Sequence, residues 1–430
     1  MKAATPRKVS TANQFLDELT SPDRSILEAI KAANYAQNGA PFAPFLMKFA
    51  ARADFNVIWS SERGDTAIDF YRYSGSRTDG FLPLGDYAIT DRVPFGKQPI
   101  MLLAPDANNP GALAHPVDFE WILDDAGSGN SNDISYWWPI APEGYQAVGV
   151  VFGVDKPAAQ NYWCVNNSFL QNVGTQGNWS DSGSHWKHHD GSLSSPAINA
   201  TAPSNSLFLT PTTFLSNEYS GNTGSAKAFC LVVDKLFLPM PTPTSTQPSY
   251  ADSFGIGSAT PQSVVNVAVI PASVVVDHSV GAEPDAAPFY YLAGQSSFLC
   301  TNAFSAPAGG KYTKEISIGT TAISSKAFQE TNGVTVSASV GIAAGDKGGF
   351  NAQLSVSYTY EMQVTTSDSL QNDTRTTEAT ELTVPASNRV LMWQKNVEFV
   401  TIRTDGTRMV NAVYGTQETA LTAKPLVNDR

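Results

Sequence analysis

Residues 334–362 read VTVSASVGIAAGDKGGFNAQLSVSYTYEM, and the period of that text is two. In the first arm Val334, Val336, Ala338, Val340, Ile342 and Ala344 fall on one face, with Thr335, Ser337, Ser339, Gly341 and Ala343 on the other. In the second arm Phe350, Ala352, Leu354, Val356, Tyr358 and Tyr360 share a face, opposed by Asn351, Gln353, Ser355, Ser357, Thr359 and Glu361. Successive side chains of an extended chain point to opposite faces, so this alternation marks two strands. Gly345-Asp346-Lys347-Gly348-Gly349 supplies the turn between them.

Two features separate this hairpin from an ordinary amphipathic one. Its polar faces are small and uncharged: within 334–360 the only charges are Asp346 and Lys347, both in the turn. Each arm has eleven residues, and a tilted membrane-spanning strand needs about 9–11. One hairpin cannot cross a bilayer, because its edge amides would be unsatisfied, but several copies closing a barrel can. The flanks 313–333 and 365–383 are polar and rich in Ser and Thr, suited to a solvated monomer and to a barrel wall outside the membrane. A half-buried hairpin of a sandwich alternates equally well, and alternation alone favours that plainer reading. The missing charges, matched arms and Ser/Thr flanks favour a pore. On that reading the apolar faces of both arms meet lipid, and Thr335, Ser337, Ser339, Asn351, Gln353, Ser355, Ser357 and Thr359 line the pore.

Around this hairpin lies a chain of 430 residues, 42% hydrophobic and only 15% charged, against roughly 25% charged in average soluble proteins. With 32 Gly and 27 Pro it reads as turn-rich and mainly β, which excludes a disordered acidic chain, a coiled coil and a collagen-like repeat. The net charge of −12 offers no basic field, so nucleic acid is not an expected partner. Cys164, Cys230 and Cys300 are far apart and odd in number, as small buried hydrophobes rather than a disulfide frame or zinc site. The N-terminal text MKAATPRKVSTANQFLDEL has no apolar core of a secretory signal, so synthesis in the producer's cytoplasm followed by release is expected. No run of about 18 apolar residues offers a membrane-spanning helix. Residues 10–36 are helical in pattern, with Phe15, Leu16 and Leu19 in a first helix. Ser21-Pro22 opens a second with Ile26, Leu27, Ile30 and Ala33 on one face.

The first half repeats. Trp59, Asp69, Gly80-Phe81 and Leu84-Gly85 recur as Leu123, Asp133, Gly144-Tyr145 and Val148-Gly149, each displaced by 64 residues. A looser third copy starts at Trp179, with Asp190 eleven residues on instead of ten. A repeat at fixed displacement means one supersecondary unit copied around a shared core, and three copies point to a pseudo-threefold β-prism. Residues 238–249 (LPMPTPTSTQPS) cannot form a central strand and read as a connector, followed by apolar runs on either side of Ile270-Pro271. The expected organisation is an N-terminal helical segment at 1–48, the prism at 49–237, a Pro-rich connector and strands at 238–284, and a C-terminal module at 285–430.

Two resemblances follow from these texts. Residues 58–209 resemble the domain named after vacuolar protein sorting-associated protein 62, through the W-x-D/S-x-G-S loops, Trp137-Trp138-Pro139, Pro142-Glu143-Gly144-Tyr145, Val148-Gly149 and Cys164. The first copy departs from that loop pattern at Glu62-Arg63-Gly64. Residues 285–407 resemble the membrane-acting module of aerolysin-type β-pore-forming proteins. The matching texts are Tyr290-Tyr291-Leu292, Thr331-Asn332-Gly333, Thr383-Val384-Pro385-Ala386, Trp393-Gln394 and Arg403-Thr404-Asp405-Gly406-Thr407. That family includes insecticidal members pairing such a module with a vacuolar-sorting-62-like domain. The resemblance implies an elongated aerolysin-like module and an insecticidal pore-forming toxin. It would be a monomer in solution that binds a glycan or protein receptor on a target-cell membrane and forms a homo-oligomer there.

Other constellations weigh less. His185, His188 and His189 share a loop with Asp181 and Asp190, but the spacing is not that of a helical metalloprotease, and a solvent-exposed loop is the better reading. The loops holding Asp124, Asp125, Asp133, Asp181 and Asp190, with Trp138 and Trp186 nearby, are candidates for receptor or glycan contact. Asx-turn chemistry that merely shapes the loops competes with that reading. Trp59 and Trp137 read as core. No nucleophile elbow, zinc-helix motif or phosphate loop is present, so neither an enzyme nor a cofactor or metal is expected. The alternative function is a lectin-like carbohydrate-binding or adhesion protein that makes no pore.

Overall fold

The computed structural model describes residues 21–50, 52–61, 67–90, 100–126, 130–180, 191–198, 202–203, 206–218, 227–240, 248, 255–261, 263–272, 288–318, 323–324, 364–365, 376–384, 386, 388–414 and 419–425. The hairpin 334–360, the first expected helix, the histidine loop and Asp181, Trp186 and Asp190 lie outside these residues. The described chain is mainly β, with two short helices at its start, α1 (Ser21–Ala33) and α2 (Tyr35–Asn38). Helix α1 begins at Ser21-Pro22 and buries Ile26, Leu27 and Ile30, the stripe its spacing dictates.

The first repeat holds β1 (Phe45–Ala50), β2 (Phe55–Ser60), β3 (Ile68–Tyr73), β4 (Tyr87–Thr90) and β5 (Ile100–Pro105). The second holds β6 (Leu113–Ala114), β7 (Asp118–Asp124), β8 (Ser135–Ile140), β9 (Tyr145–Gln146), β10 (Val151–Gly153) and β11 (Cys164–Asn166). The third holds β12 (Leu170–Ser180), β13 (Gly191–Ala197), β14 (Ser206–Leu209), β15 (Leu215–Glu218) and β16 (Ala228–Asp234). Equivalent strands pair alike. The runs β2-β3-β4, β7-β8-β10 and β12-β13-β15 are antiparallel and in the same order. The first strand of each is bulged at the same place: between Val57 and Trp59, Trp121 and Leu123, and Gly177 and Trp179. Past the bulge Trp59 faces Phe70, Leu123 faces Tyr136 and Trp179 faces Leu193. A second set of pairs, β1 with β5, β6 with β11 and β12 with β16, sets Ala50 opposite Ile100, Ala114 opposite Cys164 and Val173 opposite Ala228. Each outer partner lies 64 residues beyond the last.

The looseness of the third copy has a structural cause. The stretch that forms β6 and β7 in the second repeat is one continuous strand, β12, in the third. Its first part pairs with β16 and its second with β13. The third hairpin therefore comes early, and the 64-residue step is recovered by Leu215, opening β15 where Val151 opens β10.

The repeats meet at Gly85, Gly149 and Thr213. A Cβ at Gly85 would stand 2.8 Å from the Val150 oxygen; one at Gly149 would stand 2.8 Å from the Leu84 oxygen and 2.7 Å from Thr213. Both positions need glycine because the backbones touch. The third copy fills the gap with Thr213, whose hydroxyl donates to the Val148 oxygen at 2.6 Å. Backbone bonds circle this point: Asp86 N donates to Val150 O (3.0 Å) and Val150 N to Phe214 O (2.8 Å).

On one side of this meeting point lies an aromatic cluster of Phe70, Tyr136, Phe152, Leu193 and Phe214, with the Phe70 and Phe152 rings stacked at 3.9 Å. On the other side Phe45, Leu84, Met101, Val148, Val165 and Leu231 form a core continuous with the C-terminal sheet.

That part contains β17 (Leu236–Phe237), β18 (Ser263–Pro271), β19 (Phe289–Ala306), β20 (Gly310–Ile318), β21 (Ile323–Ser324), β22 (Val364–Thr365), β23 (Thr376–Val384), β24 (Asn388–Arg403), β25 (Arg408–Tyr414) and β26 (Thr419–Pro425). The sheet order is β17-β18-β19-β24-β25, with β26 also on β24. Strand β18 is the first of the apolar runs read as strands after the connector; it pairs with β19, so the sheet starts before residue 285, and Pro271 closes that strand opposite Phe289. Phe289 carries the junction to the N-terminal segment, its ring lying against Phe42, Phe49 and Tyr35 at centroid distances of 6.2, 5.6 and 6.3 Å.

Candidate functional site

Two regions bear on the site residues singled out in the sequence. The first is the end of the prism where β2 turns to β3, β7 to β8 and β12 to β13. All three connections leave equivalent strands, which pack beside the aromatic cluster, and the residues of the third, 181–190, lie outside the described ones. Trp59 ties the first to the second, its indole N–H donating to the Asn132 oxygen at 2.7 Å.

In the second connection the acids shape the loop. Asp125 accepts from Ile134 N (2.5 Å) through one oxygen and from the Asn130 amide (3.1 Å) through the other. Asp124 accepts from Ala126 N at 3.1 Å. Asp124 thus makes an Asx turn, and Asp125 bridges the two ends of the loop. Asp133 is exposed. Trp138 is half-buried and packs against two core clusters, away from the loop tip. Trp59 also packs on the aromatic core, and Trp137 packs beside Phe119, Val151 and Tyr162 with its N–H on the Gly153 oxygen at 3.1 Å. Among the described residues no group of three or more His, Cys, Asp or Glu could hold a metal ion. The three cysteines are free and buried, and burial pushes the Cys164 and Cys230 thiols up to about 12.

One buried polar constellation was not visible in the sequence. Asp86, directly after Gly85, is fully buried. Its carboxylate accepts from Arg72 Nη2 (2.9 Å) and Nε (3.2 Å), Tyr162 OH (2.8 Å) and Phe152 N (3.0 Å). Arg72 Nη2 also donates to the Phe152 oxygen. Burial pushes the Asp86 carboxyl up to about 6, opposed by Arg72 and these hydrogen bonds. Burial likewise drives the Tyr162 phenol well above its ordinary value. The group rivets the first repeat, through Arg72 and Asp86, to the second, through Phe152 and Tyr162.

With this three-repeat geometry the chain can be placed beside known proteins. Residues 46–241 match the family model Vps62, vacuolar protein sorting-associated protein 62. The match runs from β1 to just past β17 and takes in all three repeats, less than half of the chain. The Vps62-like domain thus extends beyond the 58–209 stretch whose texts resemble it. No curated protein matches the chain. Among solved structures, GNIP1Aa from Chromobacterium piscinae aligns at 23% identity and a TM-score of 0.36, over 44% of this chain and 37% of that one. Cry35Ab1 aligns at 12% identity and a TM-score of 0.32, over 73% of this chain and 89% of that one.

The second region is the ladder β20/β23. Its nine pairs run without a slip from Gly310 opposite Val384 to Ile318 opposite Thr376. It follows directly on the longest pairing in the C-terminal part, the sixteen pairs of β19 with β24, and residues 319–375 join its two strands. Among the described residues no helix is long and apolar enough to cross a membrane, which says nothing of strands.

Proposed function

We propose that the protein is a β-pore-forming toxin. Its Vps62-like domain engages a target-cell surface through the three hairpin connections, and its C-terminal module oligomerises and inserts residues 334–360. The observation that supports this reading best is the register of β20/β23. Continued outward at the same register, that ladder would set Val334 opposite Tyr360 and Ala344 opposite Phe350, with Lys347 at the tip. Those are the arm limits and turn that alternation alone marks in the sequence. A ladder of nine known pairs and a pattern of side chains thus point to one hairpin. Each extended arm would run 29 residues beyond Ile318, roughly 95 Å at the rise of a strand. Eleven residues per arm suffice for the bilayer, and the Ser/Thr-rich remainder would form a solvated wall.

The resemblance of 285–407 to aerolysin-type modules makes an insect the first target to test. The assay is dye release from vesicles of insect midgut membrane, with SDS-resistant rings sought in the same sample. Leakage and rings together are the expected outcome. Binding to glycans with neither leakage nor rings would replace this reading with the lectin-like one.

A further inference from the structure

The strands nearest to the ladder do not continue it. After β20 the next described residues are Ile323 and Ser324, and they pair in parallel with Val364 and Thr365. At the register of β20/β23, Ile323 would instead oppose Gln371 in antiparallel sense, and Val364 would oppose Glu330. In an extended hairpin Val364 would then stand seven residues along from Ile323, about 23 Å away, whereas paired strands lie about 4.8 Å apart. The two arrangements exclude each other.

Resting on the pore-forming reading above, we propose that β21/β22 is a clasp that holds the soluble form and must part before the hairpin extends from β20/β23. Its chemistry suits a release. Two residue pairs make a short contact, and parallel pairs are slightly weaker per residue than antiparallel ones. Opening it leaves β20/β23 and the long β19/β24 pairing intact, so the body of the module can stay folded while the arms rearrange. The clasp also gives the change a direction: the second arm reverses its sense against the first and then zips outward from Ile318 and Thr376.

The test uses the full chain carrying Ile323→Cys and Val364→Cys, joined by a short reducible bis-thiosulfonate. The native cysteines are buried, and treated wild-type protein controls for them. A second variant, Thr313→Cys with Glu381→Cys, joins two residues already opposed in the ladder. Dye-loaded midgut membrane vesicles report leakage, and co-sedimentation reports binding. The clasp-joined protein should bind, leak no more than background, and regain full leakage on reduction. The ladder-joined protein should leak before reduction, since that pairing survives extension. Full leakage from clasp-joined protein overturns the clasp and leaves the pore reading standing. Clasp-joined protein that no longer binds also overturns it, because the clasp acts after binding. Wild-type protein that binds without leaking overturns the pore reading itself.

Discussion

In the prism, Asp86 is fully buried and meets Arg72, Tyr162 and the Phe152 amide; in the C-terminal sheet, Gln295 is equally buried, and neither atom of its amide has a partner among the described residues. Tyr291 OH and Thr401 Oγ1 in the same sheet are also buried without one. A buried polar group left unpaired costs about 1–3 kcal/mol, whereas a paired one is close to neutral or favourable. The prism leaves one such atom among the described residues, the Ser216 hydroxyl on β15, beside its satisfied rivet. The sheet that carries the ladder leaves four: both amide atoms of Gln295, Tyr291 OH and Thr401 Oγ1. That difference fits a molecule with one half that binds and another that rearranges.

The largest effect expected from breaking this contrast lies in the hairpin. Val340→Arg or Val356→Arg puts a charge near the bilayer midplane, at a cost of roughly 2–4 kcal/mol per copy. Multiplied around a ring, that should abolish dye release while surface binding persists. Ser339→Arg or Ser355→Arg, on the opposite face, should keep leakage and shift ion selectivity in planar-bilayer recordings. Equal leakage from all four variants would remove 334–360 from the pore wall.

The prism should respond in stability and not in leakage mechanism. Asp86→Asn leaves Arg72 without its counter-charge and should cost on the order of 3 kcal/mol at pH 7, read by denaturant unfolding. The pH dependence sharpens this. The folded Asp86 carboxyl is pushed up to about 6 by burial, so the folded state holds a proton that the unfolded chain releases. Its contribution is fully present below the unfolded value near 4 and is lost as pH rises through 6. The gap between wild type and variant should therefore widen as pH falls from 7 to 4. A gap that narrows would mean that Arg72 outweighs burial. Next in size is Gly149→Ala, whose Cβ meets Thr213 and the Leu84 oxygen. Overpacking of this kind costs about 1–3 kcal/mol, and an unchanged unfolding midpoint would show that the three repeats do not touch there.

The repeats were legible because their landmarks are tied to backbone. The pair at 85 and 149 is glycine where main chains touch, and Trp59, Leu123 and Trp179 follow a bulge that fixes which face they occupy. Such constraints fall at the same position in successive repeats, so a fixed displacement exposes them in the text. The Asp86 rivet was not legible, because Arg72, Asp86, Phe152 and Tyr162 come from two repeats and share no spacing. Nor was the place of β18 in the C-terminal sheet. The connector before it is Pro-rich, and proline marks where a strand cannot run but not which sheet the next strand joins. Of the candidate loop residues, Asp124 and Asp125 show the limit of composition: the same Asp, Asn and Ser that suit a receptor or glycan also shape a loop, and shaping the loop is what their hydrogen bonds do.

The smallest predicted effect tests the contrast most directly. Gln295→Leu replaces a fully buried amide without partners by an apolar side chain of similar volume. Its main-chain pairing, opposite Val264 on β18 and Glu398 on β24, involves no side chain and is unaffected. Removing the unpaired groups should raise unfolding stability by about 1 kcal/mol, visible as a higher denaturant midpoint with an unchanged slope. The same change in the prism, Asp86→Leu, should lower it, because there the polar group is satisfied and its loss strands Arg72. If the orphaned amide is relieved when the C-terminal part rearranges, Gln295→Leu should also slow dye release by holding the soluble form, roughly tenfold for 1.4 kcal/mol. Leakage at the wild-type rate from a protein that is measurably more stable would place Gln295 outside the rearranging part. A Gln295→Leu protein that is less stable would mean that the amide is satisfied, and the contrast between the two halves would be gone.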